Sequence, residues 1–188
     1  MSLPPLILAS ASPRRHELLK QLGYDFAVVT SAAEELHHEH LTARELAQIN
    51  AYRKARAVAK RSPEALVIGA DTLVYLDTTL YGKPADHADA RRMLAELQGR
   101  THEVVTGVCL LHLDSHRCEI LSETTRVTFH RLSDGQIADY LARIDPLDKA
   151  GAYAVQEHGH RIIEEISGSF SNVVGLPVAR VRTLLQAW

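Results

Sequence analysis

Leu66-Val67-Ile68-Gly69-Ala70-Asp71 is an apolar run of strand length that ends in a carboxylate. Its length and its turn-bounded surroundings favour a buried strand over a helix. A carboxylate at the carboxyl end of an apolar strand stands where α/β sheets place ligands. Thr72 to Leu76 continues extended, and Asp77-Thr78-Thr79 reads as a turn. Working backwards, Thr42-Ala43-Arg44-Glu45 has the capping-box pattern and opens a long helix to about Arg61, with Leu46, Ile49, Ala57 and Val58 on its buried side. Before it, Leu6 to Ala9 is a short strand. Ser12 and Pro13 supply the N-cap and first position of a helix that stops at Gly23, and Tyr24 to Val29 suits a second strand. Leu18, Leu19 and Leu22 give that first helix its apolar stripe.

Working forwards, a helix runs from about His87 to Gln98 and ends at Gly99. Glu103 to Leu113 and Ile120 to Phe129 pair around Asp114-Ser115-His116-Arg117. Ser133 caps a helix to Ile144, short strands follow near Tyr153 to Val155 and Arg161 to Ile166, and Pro177 starts the closing helix. Helices and strands alternate, yet the central hairpin must be antiparallel. The expected fold is therefore α/β, a mixed twisted sheet with helices on its faces.

The bulk numbers narrow the function. The chain of 188 residues, 46% hydrophobic and 23% charged, has neither an internal repeat nor a Pro/Gly-rich linker, so a single domain over residues 1–188 is expected. A net charge of −2 gives no basic excess for a polynucleotide. Cys109 and Cys118 flank a turn without metal spacing and read as free thiols of a reducing cytoplasm. No basic export leader precedes the first strand, and no apolar stretch approaches the roughly 20 residues that span a bilayer. A soluble cytoplasmic protein is expected, with no membrane partner.

Four segments carry chemistry. Ser12-Pro13-Arg14-Arg15 puts two cations in a first helical turn, the wrong sign for the helix dipole unless an anion sits there, held by backbone N–H groups, Ser12 and the arginines. The plainer alternative is a solvated basic turn paired with Glu34 or Glu35. Asp71 could ligate Mg²⁺ or deprotonate a water, or simply cap a turn, and Thr72 beside it could touch a base. Lys83, on the stiff Gly82-Lys83-Pro84 turn, and Lys54, within a helix, are each unremarkable alone but would suit a polyphosphate. In Asp148-Lys149-Ala150-Gly151-Ala152-Tyr153-Ala154-Val155-Gln156 the small residues permit close backbone approach. Gln156 there offers a donor and an acceptor that match the carbonyl and imide of uracil or thymine. Two tempting stretches are set aside: His37-His38-Glu39-His40, a polar connection without a fixed second shell, and Asn172 to Pro177, which reads as a structural turn.

In family order, these pieces resemble the Maf family of house-cleaning nucleotide pyrophosphatases. They are Leu8 to Arg15, Gly69-Ala70-Asp71-Thr72, Gly82-Lys83-Pro84, Thr101 to Gly107, Asp148 to Tyr153 with Gln156, and Asn172 to Pro177. The resemblance implies two lobes around a deep cleft (a Maf/ITPase-like fold) and a homodimer. It also implies hydrolysis of a nucleoside triphosphate to the monophosphate and pyrophosphate with a divalent cation, Mg²⁺ or Mn²⁺. By position it makes Asp71 the proton acceptor and Ser12, Arg14 and Arg15 phosphate contacts, with Glu35, Lys54 and Lys83 lining the cleft and Asp71 and Glu35 as metal ligands. Arg14, Thr72 and Gln156 match the branch acting on dTTP and UTP, rather than the branch acting on 7-methyl-GTP. Two positions depart from the pattern, Ala154 and Glu157 standing where glycine is usual, and Ala32 to His40 matches poorly. The alternatives are a pyrophosphatase of different base preference and a nucleotide-binding regulator of septum formation that does not cut.

Overall fold

The computed structural model describes residues 3–36 and 40–188. The chain folds into two compact units interleaved in sequence. Met1–Thr72, Thr106–Glu123 and Gly175–Trp188 form the first, and Leu73–Val105 and Thr124–Val174 the second.

In the first unit, β1 (Leu6–Leu8) is flanked by β2 (Phe26–Val28) and by the start of β3 (Leu66–Leu76). Both pairings are parallel, with Leu6 opposite Phe26 and Leu66, and Leu8 opposite Val28 and Ile68. Parallel neighbours need crossover connections, and two helices supply them. The first, α1 (Pro13–Lys20), has Ser12 at its N-cap accepting from Arg15 N, and Pro13 where a missing N–H costs nothing. The second, α2 (Ala43–Ala59), opens with the complete Thr42/Glu45 capping box. Its inward face is only partly the expected one, with Leu46 and Val58 buried as expected. Ile49 is exposed and Ala57 only partly covered, while Ala47, Ala51, Ala55 and Ala59 are fully buried. The reason lies in the strands beneath. A methyl group on Gly69 would run into Ala51 O and Ala55 N, and one on Gly107 into the backbone of Ala47 and Gln48. Helix and sheet meet here backbone to backbone, which only alanines facing glycines allow. The closing helix α6 (Val178–Gln186) starts after Pro177, and Arg117 donates to the carbonyls of Ala187 and Trp188.

In the second unit, β3 turns at Asp77 into β4 (Thr79–Tyr81), its antiparallel partner. Helix α3 (His87–Leu97) starts at Asp86, whose side chain accepts from Asp89 N, and α4 (Asp134–Leu141) starts at a Ser133/Gln136 capping box. With β7 (Ile163–Ser167), antiparallel to β6 (Arg117–Phe129), they enclose a core that includes Leu94, Leu97, Phe129, Ile137 and Tyr140.

The hydrogen-bonded order is β2-β1-β3-β5-β6-β7, with β5 at Thr101–His112, β6 at Arg117–Phe129 and β4 added to β3. The sheet is mixed and carries helices, the expected class. Three expectations need correction. Asp71 does not end a strand: it sits midway along the eleven residues of β3, because Thr72 to Leu76 keeps the extended line and finds β4. Tyr153 to Val155 forms no strand, since Gly151 and Ala152 just before it take left-handed backbone angles (φ 71° and 62°) and leave the segment irregular. Of Asn172 to Pro177, expected as a structural turn, residues 172–174 belong instead to a short helix, α5 (Phe170–Val174).

Candidate active site

Close packing of α2 on the sheet decides what its polar residues meet. Asn50 and Lys54 stand one turn apart on one face of the helix, and both reach Asp71 on β3. Lys54 Nζ lies 2.6 Å from Asp71 Oδ1 and 2.7 Å from Glu35 Oε1, so one ammonium bridges two carboxylates. Asp71 is 3% exposed. A carboxylate so deep in the protein must be paired or hydrogen-bonded, and this one is both, since Asn50 Nδ2 donates to its other oxygen at 3.2 Å. The same Asn50 carboxamide accepts from Leu36 N at 2.7 Å and donates to Leu36 O at 3.2 Å. It thereby fixes the backbone next to Glu35 as well as the Asp71 side chain.

The start of α1 adjoins this group. Arg15 donates through Nε to Gly175 O at 2.8 Å, and through its two terminal nitrogens to Thr72 Oγ1 at 2.9 Å and Ser10 Oγ at 3.4 Å. Burial lowers the Arg15 pKa, while the charges of Asp71 and Glu35 raise it and that of Arg14 lowers it further. An arginine remains a cation at neutral pH regardless. Thr72 Oγ1 also shares a hydrogen bond with Thr106 Oγ1 at 3.0 Å. The first unit therefore brings Arg15, Glu35, Lys54, Asp71 and Thr72 together from four separate stretches of sequence, with Ser12 and Arg14 on the same helix start as Arg15.

The second unit carries Lys83 and Gln156, both exposed. Their loops are joined: Gly151 N donates to Gly82 O at 3.0 Å, tying the Gln156 loop to the Lys83 turn. Tyr140 Oη both accepts from Ala154 N, at 3.0 Å, and donates to Ala154 O, at 3.2 Å. Tyr153 Oη lies 2.8 Å from Nε2 of buried His102. The departure at Glu157 has a partner too: Lys149 Nζ is 3.5 Å from Glu157 Oε1 and 2.6 Å from Asp148 Oδ1.

Sequence reasoning missed Asn50, Tyr140 and the His102–Tyr153 pair. An asparagine one turn before a lysine, within an alanine-rich helix face, was the available sign of the first. The histidine pattern at 37–40 lies outside the described residues except for His40. Among the described residues, no three His, Cys, Asp or Glu side chains gather as a metal site, and no helix is long and apolar enough to cross a membrane.

Fold and site together define a mixed α/β protein with a lysine-bridged carboxylate pair beside an arginine-bearing helix start. The fold resembles that of a HAM1 protein from Coxiella burnetii (TM-score 0.57, 13% identity, covering 99% of this chain and 100% of that one). Residues 5–188 match the profile of the Maf-like proteins, and the chain belongs to that family. Among its relatives is a dTTP/UTP pyrophosphatase of Koribacter versatilis, 49% identical over 181 residues, 96% of this chain and 93% of that protein. Another, of the same description, comes from Pelotomaculum thermopropionicum, 45% identical over 181 residues (96% and 95%). A third, from Bacillus velezensis, is 44% identical over the same length (96% and 95%).

Proposed function

We propose that this protein hydrolyses nucleoside triphosphates, chiefly dTTP and UTP and also modified pyrimidine nucleotides, to the monophosphate and pyrophosphate in a house-cleaning role. The observation that carries the proposal is the Asp71–Lys54–Glu35 bridge with Arg15 beside it. Relatives 44–49% identical over almost their whole length, all described as dTTP/UTP pyrophosphatases, support the same reaction.

The roles follow from the chemistry of each group. Asp71 orients a water and takes its proton as the water oxygen bonds to the α-phosphorus, and the bond from that phosphorus to the bridging oxygen breaks. Lys54, Lys83, Arg14 and Arg15 offset the negative charge of the departing pyrophosphate, and Ser12 adds a hydroxyl at the phosphate end. Thr72 and Gln156 meet the base, Gln156 through a carboxamide that complements the pyrimidine carbonyl and imide. A divalent cation suits the donor set, because Asp71 and Glu35 already converge on one positive charge and both offer hard oxygen ligands. Bound there with its waters, Mg²⁺ or Mn²⁺ would supply charge neutralisation for the triphosphate. In the same proposal the 188 residues act as one domain, as a homodimer in the cytoplasm, on free nucleotides and not on polynucleotide or membrane. The free thiols of Cys109 and Cys118 fit that compartment.

The test is pyrophosphate release from a nucleotide panel with Mg²⁺ and Mn²⁺, run beside Asp71→Asn. We expect dTTP and UTP to lead, and the variant to lose turnover by about a thousandfold or more while keeping its fold. Full turnover by Asp71→Asn refutes the assigned base. A preference for 7-methyl-GTP refutes the base assignment, and tight dTTP binding with no pyrophosphate released makes the protein a nucleotide-holding regulator instead.

A further inference from the structure

We propose that Asn50 is a positioning residue of this site, its one carboxamide holding Asp71 and the Glu35-bearing segment in a fixed relation to each other. The inference rests on the hydrolytic reading above.

A carboxamide has one acceptor oxygen and two donor hydrogens. Here the oxygen takes Leu36 N–H at 2.7 Å, and the nitrogen serves Leu36 O and Asp71 Oδ2, each at 3.2 Å. Asn50 is 1% exposed, so water cannot replace these partners cheaply. Because the two bonds to Leu36 grip both polar groups of one backbone residue, they fix the direction of the chain there, one residue past Glu35. The bond to Asp71 occupies Oδ2, while Oδ1 faces Lys54 Nζ. Residues from three places in the sequence (35–36, 50–54 and 71) thus meet on one amide and one ammonium. Lys54 alone would not suffice: an ammonium attracts from any direction, whereas an amide selects an angle as well as a distance. Groups that orient a ligating or reacting carboxylate in this way typically govern activity or metal affinity by about 10- to 100-fold.

The experiment compares the full chain with Asn50→Ala and with Asn50→Leu, which keeps the shape of the asparagine but none of its hydrogen bonds. Three quantities are read: kcat for dTTP with Mg²⁺, the dissociation constant of a non-hydrolysable α,β-imido analogue of dTTP, and Mn²⁺ affinity in the absence of nucleotide. Both variants are expected to lose about 10- to 100-fold in kcat and a similar factor in Mn²⁺ affinity, with analogue binding kept within about threefold. If the residue only filled space, Asn50→Leu would keep kcat within twofold, and that result overturns the proposal. Equal losses of kcat and analogue binding overturn it as well, since they signal general disruption. Amide hydrogen exchange on the wild-type chain is independent of how the variants fold: the Leu36 N–H is expected to be protected, and free exchange there removes the clasp. A wild-type protein that releases no pyrophosphate brings down the hydrolytic reading together with this one. Active wild type with an active Asn50→Leu brings down this one alone.

Discussion

Acid should destabilise the protein through His102, and the size of the effect can be worked out. The ring is 1% exposed and packs edge-on against Phe129, with centroids 4.8 Å apart, and against Tyr153, at 5.4 Å. Its Nε2 meets Tyr153 Oη, and its Nδ1 has no hydrogen-bond partner among the described residues. A second proton would bury a charge with an unpaired N–H, so desolvation pushes the pKa from 6.5 down to about 4. Between those values the unfolded chain binds a proton that the native state does not. Stability from this residue is therefore fully present above the unfolded pKa and is lost as pH falls toward the folded one. A displacement of about 2.5 pH units corresponds to about 3 kcal/mol in all, of which about 2 kcal/mol is gone by about pH 5. Urea unfolding followed by circular dichroism at about pH 7.5 and about pH 5 measures it, with His102→Gln as a control that cannot titrate. The wild type should lose about 2 kcal/mol more than the control over that interval. The same slope in both proteins, or a native His102 that titrates near its ordinary value by NMR, refutes the reasoning. His102 also holds Tyr153, three residues before Gln156.

Two further outcomes follow from packing. Gly69→Ala should cost about 1–3 kcal/mol in urea unfolding and lower kcat/KM, because the new methyl meets α2 backbone that carries Asn50 and Lys54, with no flexible side chain to give way; wild-type stability and activity would show that the helix can back off. Iodoacetamide should modify one cysteine in the native protein, exposed Cys118, and two in guanidinium, since Cys109 is buried and its thiol pKa is pushed up by that burial; rapid native labelling of Cys109 by mass spectrometry contradicts this.

Local chemistry made much of the fold legible. The Ser12 cap with Pro13, and the Thr42/Glu45 and Ser133/Gln136 boxes, are agreements between residues three apart or fewer, and each helix starts where its cap says. Long-range agreements were not visible. Hydrophobicity put Ile49 on the inner face of α2, but the face was chosen by Gly69 and Gly107 on other elements, whose lack of side chains admits alanines and excludes isoleucine. That choice of face also turned Asn50 inward, so the error over Ile49 and the silence over Asn50 have one cause. The Lys54 pairings with Glu35 and Asp71 span 19 and 17 residues, and no local pattern encodes them.

Asp71 shows how a correct principle can fall on a different place in the strand. The apolar run ends at Asp71, but the extended segment after it, expected from Thr72 to Leu76, is part of the same strand. Yet β3 pairs with β1 only through Ile68, next to the bond from Ala9 N to Ile68 O, and takes up β4 only at Val74. Between these points that edge of the strand changes partner from β1 to β4, while β5 lines the other edge, and Asp71 and Thr72 lie where the edge is open. Ligand sites in α/β sheets lie beyond the carboxyl ends of strands, at points where the strand order changes. Here Asp71 meets Lys54 and Asn50, and Thr72 meets Arg15 and Thr106. What leaves Asp71 open to Lys54 and Asn50 is thus the end of β1 rather than of β3, and a strand of only three residues is short enough to leave it there.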